Sequence, residues 1–266
     1  MNSFTLGRYI PLDSLMHRFD PRAKIVAMFL LMIAIFIPSG FVGYIGIFFI
    51  ICIGIYASKL NLKFFWNAMK PMFFMLGVLL VINVLVVKSG EPLITIAGFT
   101  IYWNALSQTG YIAVRLVLMI VITTLLTATT KPTDLTIALE DLMKPLKKIG
   151  FPANEIAMII SIALRFIPTL IEETQRIIKA QTSRGVDLQE GKLKEKVMAI
   201  LSLIVPLFVS SYQRAEELAN AMEARGYVPS RTRTRYRQLQ MAGRDFVMLV
   251  VCMLVLLSTI GIMIWL

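Results

Sequence analysis

No charged side chain interrupts the chain from Phe246 to Leu266. As a helix rising 1.5 Å per residue, that run reaches roughly 31 Å, enough to cross the hydrocarbon of a bilayer. Backbone polar groups in lipid must be paired within their own segment, so such a run points to a helical membrane protein. Four earlier apolar stretches, 25–37, 41–57, 71–87 and about 106–128, extend the pattern. The first of them reaches only about 20 Å, so the pair joined at Pro38-Ser39-Gly40 is either a shallow hairpin or extends past these limits. A content of 57% hydrophobic and 16% charged residues, with mean hydropathy +0.74, excludes an ordinary water-soluble domain.

Charge sets the expected orientation. Lys and Arg number 27 against 16 Asp and Glu, a net +11. Such an excess suits nucleic acid, an anionic membrane face or an acidic partner groove, and in a chain this apolar the membrane face comes first. Arg8, Arg18, Arg22 and Lys24 precede the first stretch, Lys59, Lys63 and Lys70 lie in the second connection, and eighteen basic residues lie within 131–244. The other side has only Lys88, and Arg115 lies within a span. By the positive-inside tendency the N-terminus and 131–244 are cytoplasmic and the C-terminus ends outside, in a multi-pass cell-membrane protein. Between 88 and 104, Gly, Thr and aromatic residues suggest a small extended loop at an interface, with Tyr102 and Trp103 at headgroup level. The N-terminal Met-Asn-Ser-Phe-Thr-Leu-Gly-Arg shows no removable signal peptide. Cys52 and Cys252 lie in separate apolar runs and read as small core residues, with no disulfide framework and no metal site expected.

The region 131–241 is too polar for another bundle of spans and too apolar for a soluble loop. From about Ala153 to Arg184, apolar residues recur at Ile156, Ile159, Ile160, Ala163, Ile167, Leu170, Ile171, Ile177 and Ile178, a period of a helix. A second stripe, from about Glu195 to Arg225, runs through Val197, Ile200, Leu201, Ile204, Leu207, Phe208, Ala215, Leu218, Ala219 and Met222. Each helix is roughly 45 to 48 Å long, so both are expected to lie oblique or flat at the cytoplasmic surface. A shorter amphipathic piece, about Thr133 to Leu146, precedes them. The expected fold is therefore an all-α integral membrane protein. It has about five transmembrane helices, two long amphipathic cytoplasmic helices and one shorter one. Residues 1–130 form an N-terminal membrane domain of four apolar helices, 131–241 the cytoplasmic helical region, and 242–266 a C-terminal span.

The two long helices form a weak internal repeat. Pro168 stands seven residues before Gln175-Arg176, and Pro206 seven before Gln213-Arg214. Both prolines are expected to act as hinges near the helix middles. The helices close alike, on Ser183-Arg184-Gly185 and Ala224-Arg225-Gly226. One such ending is ordinary capping, with glycine left-handed after the last turn and arginine at the negative end of the helix dipole. Two on matching helices offer two matching cationic plugs, hence two matching sockets on a dimeric partner. Arginine suits that role because its planar fork binds carboxylates bidentately.

These paired endings, with Leu164-Arg165-Phe166-Ile167-Pro168 ahead of the first and Ser14-Leu15-Met16-His17-Arg18-Phe19-Asp20-Pro21-Arg22-Ala23-Lys24 near the start, resemble the transmembrane T component of energy-coupling factor (ECF) transporters, the EcfT/CbiQ family. The resemblance covers essentially the whole chain. It implies that the long helices are coupling helices whose X-Arg-Gly ends dock on two ABC ATPases of the EcfA and EcfA′ type. On that likeness Ser183, Arg184, Gly185, Ala224, Arg225 and Gly226 are the ATPase-docking residues. It also implies a membrane-embedded, substrate-binding S component. Its platform would be the apolar stripes at Ile159, Ile160, Ile167, Leu170, Ile171, Ile200, Ile204, Leu207 and Phe208. Ser183 stands where Ala is more usual in the family, a small-for-small change.

The resemblance implies a non-catalytic subunit of a transporter for vitamin or trace-metal uptake, and no cofactor of its own is expected. The stretch from Gly185 to Gly191-Lys192 has one residue too many for a phosphate loop, and Leu193 stands where Ser or Thr is needed. His17, the sole histidine, reads as structural, fixing the start of the first helix against the coupling helices. The spans carry no Asp or Glu away from their ends, unlike most secondary carriers. Arg115 is read as snorkelling or pairing with a polar group such as Asn83, the alternative being a substrate or S-component contact. Arg231, Arg233, Arg235 and Arg237 read as an anionic-lipid contact rather than a nucleic-acid stripe. The rival reading is a self-sufficient channel or secondary carrier.

Overall fold

A computed structural model describes residues 9–37, 40–87, 89–90, 92–96, 99–145, 152–186, 193–228 and 239–265. The chain divides into two compact units, one of residues 7–138 and 239–266, the other of residues 1–6 and 139–238. The Arg231 to Arg237 cluster lies outside the described residues.

The larger unit holds α1 (Pro21–Phe36), α2 (Gly40–Ser58), α3 (Leu62–Val86), α4 (Trp103–Thr129) and α8 (Gly243–Trp265). α1 begins where its sequence demands. Pro21 takes the first helical position, where no N–H is needed, and the Asp20 carboxylate accepts from the Arg22 N–H at 2.8 Å. Asn61 caps α3 in the same way, accepting from the Lys63 N–H at 3.0 Å. α3 therefore starts nine residues before the apolar stretch at 71, with Pro71 inside it. Two packed pairs, α1 on α8 and α3 on α4, are joined by contacts of α1 and α2 with α4. Ile35, Ile47, Leu118, Val121, Ile122 and Cys252 meet in the core. Cys252 is thus the small core residue expected, whereas Cys52 faces outward from α2.

Among the described residues, five helices are long and apolar enough to cross a membrane: α2, α3, α4, α8 and α7 (Leu193–Ala224), the last over Lys194–Ala224. The number matches the expectation but the membership differs. α1, at 16 residues, is too short, as the sequence hinted, while one of the long amphipathic helices qualifies with the lowest mean hydropathy of the five, 1.5. Between α3 and α4 the extended loop contains an antiparallel hairpin, β1 (Pro92–Ile96) and β2 (Phe99–Tyr102), with Thr95 paired to Thr100 and a bulge after Pro92.

One end of this unit is closed by a buried polar clasp. Asp245, in the first turn of α8, is 1% exposed. Its carboxylate accepts from the Ala242 N–H at 2.7 Å and from the Asp20 N–H at 2.9 Å, capping its own helix while holding the start of α1. Arg22 pairs with Asp20 at 3.1 Å and donates to the Leu239 carbonyl at 2.7 Å. Lys24 donates to the Thr129 carbonyl and the Thr130 hydroxyl at the end of α4. His17 contacts the Ser14 hydroxyl through Nδ1 at 2.7 Å and the Ile10 carbonyl through Nε2 at 2.9 Å. These two contacts fold the segment before α1 on itself, where a contact with the long helices was expected.

In the smaller unit α6 (Ala153–Ser183) packs on α7. Ala157 and Ala199 are buried, small residues that let helix backbones come close. Pro168 and Pro206 sit near the middle of their helices. α5 (Pro132–Met143) runs across the division between the units and ends just before Lys144-Pro145.

Candidate functional site

The ends of α6 and α7 are two copies of one backbone motif. At the first, the Val186 N–H reaches back to the Gln181 carbonyl at 3.1 Å and the Gly185 N–H to the Thr182 carbonyl at 3.0 Å. At the second, Tyr227 bonds Met222 at 3.0 Å and Gly226 bonds Glu223 at 2.8 Å. This paired closure is the Schellman motif, and it requires a left-handed residue just past the helix. Gly185 and Gly226 supply it, with φ of +84° and +70°. Beyond the glycine and its chain neighbours, no atom of the described residues lies within 4 Å of where a Cβ would stand on either, so conformation rather than crowding selects the residue type there.

Arg184 and Arg225 occupy the last position before each glycine, and both are exposed. Neither guanidinium has a hydrogen-bond or ion-pair partner among the described residues. Each charge therefore sits at the helix end where backbone carbonyls concentrate negative potential. Ser183 uses its hydroxyl on the Lys179 carbonyl of its own helix at 3.0 Å, so Ser183 and Ala224 present similarly small surfaces. The repeat is less regular one turn back. Arg176 pairs with Glu173 in its own helix at 3.8 Å, whereas Arg214 lies over the Phe166 ring of α6 at 5.9 Å.

The residues expected to form a platform fall into two groups. Ile200, Ile204 and Phe208 follow one another at helical spacing on an exposed face of α7, at 52%, 52% and 69% exposure, and Ile159 and Ile160 on α6 are also exposed. Ile167, Leu170, Ile171 and Leu207 are half-buried. Pro168 and Pro206 bring no N–H to the helix ladder, leaving the Leu164 and Ser202 carbonyls without their usual donor.

Arg115 does not pair with Asn83. Asn83 donates instead to the Thr109 hydroxyl at 3.0 Å. The Arg115 Nε donates to the Tyr44 hydroxyl at 3.2 Å, and the guanidinium lies over the rings of Tyr111 and Phe36 at 5.1 and 5.5 Å. Spacing along one helix marks Tyr111, four residues back in α4, but not Phe36 of α1 or Tyr44 of α2. The Asp20 to Asp245 contact was likewise missed, though Asp before Pro at one helix start and Asp in the first turn of another were both visible as capping residues.

Comparison with known proteins agrees with this architecture. The family model described as CbiQ, cobalt transport protein, matches residues 13–236. The energy-coupling factor transporter transmembrane protein EcfT of Macrococcus caseolyticus is 45% identical over 240 residues, 90% of each chain. That of Bacillus subtilis is 43% identical over 247 residues, 92% of each chain. That of Listeria innocua is 39% identical over 267 residues, covering 100% of this chain and 99% of its own. A match over this much of its length shows that the chain belongs to the EcfT/CbiQ family of ECF transporter transmembrane components.

Proposed function

We propose that this chain couples ATP hydrolysis in two ABC ATPase subunits to movement of a separate membrane-embedded, substrate-binding S component, in uptake of a vitamin or trace metal. The observation that carries the reading is the pair of matching Schellman ends, each presenting an exposed arginine with no partner among the described residues. A rigid backbone turn fixes where each Arg184 or Arg225 guanidinium starts, and its bidentate fork suits a carboxylate-lined groove on a nucleotide-driven partner. Two ends that differ in the stretch behind them, Arg176 staying in its helix and Arg214 crossing to Phe166, suit two related rather than identical ATPases.

Closure of the ATPase pair would displace the two helix ends together. Pro168 and Pro206 weaken the ladder halfway along, so each helix can bend there as the displacement travels. The exposed apolar face at Ile200, Ile204 and Phe208 then moves against the S component. In this reading α6 and α7 belong to the cytoplasmic side, in line with the basic residues of 131–244, and the C-terminus ends outside.

The test is uptake by the reconstituted complex with ATPases and S component supplied. The reading requires transport that depends on ATP and on both partners. Substrate flux by the chain alone in liposomes would overturn it in favour of a self-sufficient channel or carrier.

A further inference from the structure

Of the arginines on α6, on α7 and in their Arg-Gly ends, Arg165, Arg176, Arg184 and Arg225 are exposed and Arg214 alone is half-buried. Its partner comes from the other helix. The guanidinium lies over the Phe166 ring of α6 at 5.9 Å, within the range of a cation–π contact. Among the described residues Arg214 makes no ion pair and no hydrogen bond through its side chain, so the ring is what holds it. The matching arginine of α6 behaves differently, because Arg176 pairs with Glu173 of its own helix at 3.8 Å. Each arginine stands eight residues past the proline of its helix, so the repeat sets both at the same place along their helices while only Arg214 makes the crossing contact.

The prolines decide what this contact joins. Pro206 interrupts the ladder of α7 eight residues before Arg214, and Arg225 follows eleven residues after it. Arg214 therefore belongs to the far arm of α7, roughly 16 Å from the Arg225 end at 1.5 Å per residue. Phe166 stands two residues before Pro168, in the near arm of α6, which also carries the exposed Ile159 and Ile160. The contact thus ties the arm of α7 that ends in Arg225 to the arm of α6 that lies ahead of its own proline. A displacement passed through it bypasses both weakened points of the ladders.

We propose that Arg214 and Phe166 form a crosswise relay, in which displacement of the Arg225 end passes from the far arm of α7 to the near arm of α6, and so to Ile159 and Ile160. The inference rests on the coupling role proposed above and names the contact that carries it. Arg214 is a positioning residue that acts through Phe166. The two helix ends are then unequal, because displacement of the Arg184 end has no matching contact from Arg176 to α7 and must pass Pro168.

ATP-driven uptake by the reconstituted complex of the full chain, ATPases and S component tests it, read as substrate moved per ATP hydrolysed. Arg214→Gln removes the cation and Phe166→Leu the ring. Each variant should keep the ATPases bound and hydrolysing while uptake per ATP falls about threefold. The double variant should be no worse than either single one, since all three remove the same contact. Arg214→Lys, which keeps a cation for the ring, should recover most of the wild-type ratio, and Arg176→Gln should leave that ratio unchanged. A wild-type ratio in both Arg214→Gln and Phe166→Leu would overturn the relay, as would losses that multiply in the double variant or an equal loss in Arg176→Gln. If Arg214→Gln does not assemble, Phe166→Leu decides, and a wild-type ratio in that variant overturns the relay. A wild-type complex that takes up no substrate with ATP would overturn the coupling role itself, whereas wild-type uptake with unchanged variants overturns the relay alone.

Discussion

Gly185 and Gly226 hold the same left-handed backbone, each one residue beyond an exposed arginine and each closing its helix with the same pair of hydrogen bonds. In the proposed docking role, the arginine and the turn that aims it are therefore adjacent in sequence. Replacing either glycine disturbs the aim without touching the charge.

Gly185→Ala and Gly226→Ala should each cost about 1 kcal/mol at the helix end, since alanine must adopt a left-handed conformation it disfavours. No clash with the described residues is added. The turn should open more often, by roughly fivefold, and hydrogen exchange at the Val186 and Tyr227 amides reports it. Unchanged exchange would mean that the turns are held by something other than the glycines.

Pro168→Ala and Pro206→Ala should move stability and transport in opposite directions. Alanine restores a ladder hydrogen bond and removes a residue disfavoured in a helix interior by up to about 3 kcal/mol. The expected result is a thermal midpoint equal to or above wild type with slower ATP-driven uptake. Variants that transport at the wild-type rate would rule out a hinge role.

Phe208→Asp combined with Ile204→Asp should leave the isolated chain as stable as wild type, because both side chains are already exposed. Association with the S component should be lost, as two carboxylates cannot be buried there unpaired. Pull-down of a tagged S component reads the outcome. Retained association places the platform elsewhere.

Asp245→Ala should destabilise the membrane unit by about 2 kcal/mol or more, leaving the Asp20 and Ala242 N–H groups without their acceptor. Thermal unfolding of the purified chain in detergent measures it. Because the clasp lies away from the helix ends in sequence, whatever folded fraction remains should still bind the ATPases.

Much of this was legible in the sequence because it depends on local chemistry. An uninterrupted apolar run at 246–266, a left-handed glycine after arginine and a proline at mid-helix each carry their meaning within a few residues. Contacts between segments remote in sequence did not show. Asp20 and Asp245 are 225 residues apart, and Arg115 reaches Tyr44 on another helix. α3 was read as starting late because Lys63 and Lys70 break its apolar pattern, although Asn61 is an adequate cap. The β1 to β2 hairpin lacks the strong Asn-Gly or Asp-Gly turn signal that would have marked it. α7 combines an apolar middle with charged ends, so its composition alone fits both a span and a surface helix.

The most direct measurement is affinity purification of the tagged chain from its native membrane in mild detergent, comparing wild type with Arg184→Glu, Arg225→Glu and the double variant. Two ABC ATPases and a small membrane protein should co-purify with wild type. Each charge reversal should weaken ATPase retention, and the double variant should lose the ATPases while keeping the membrane partner. ATPases retained undiminished by the double variant would contradict docking through Arg184 and Arg225.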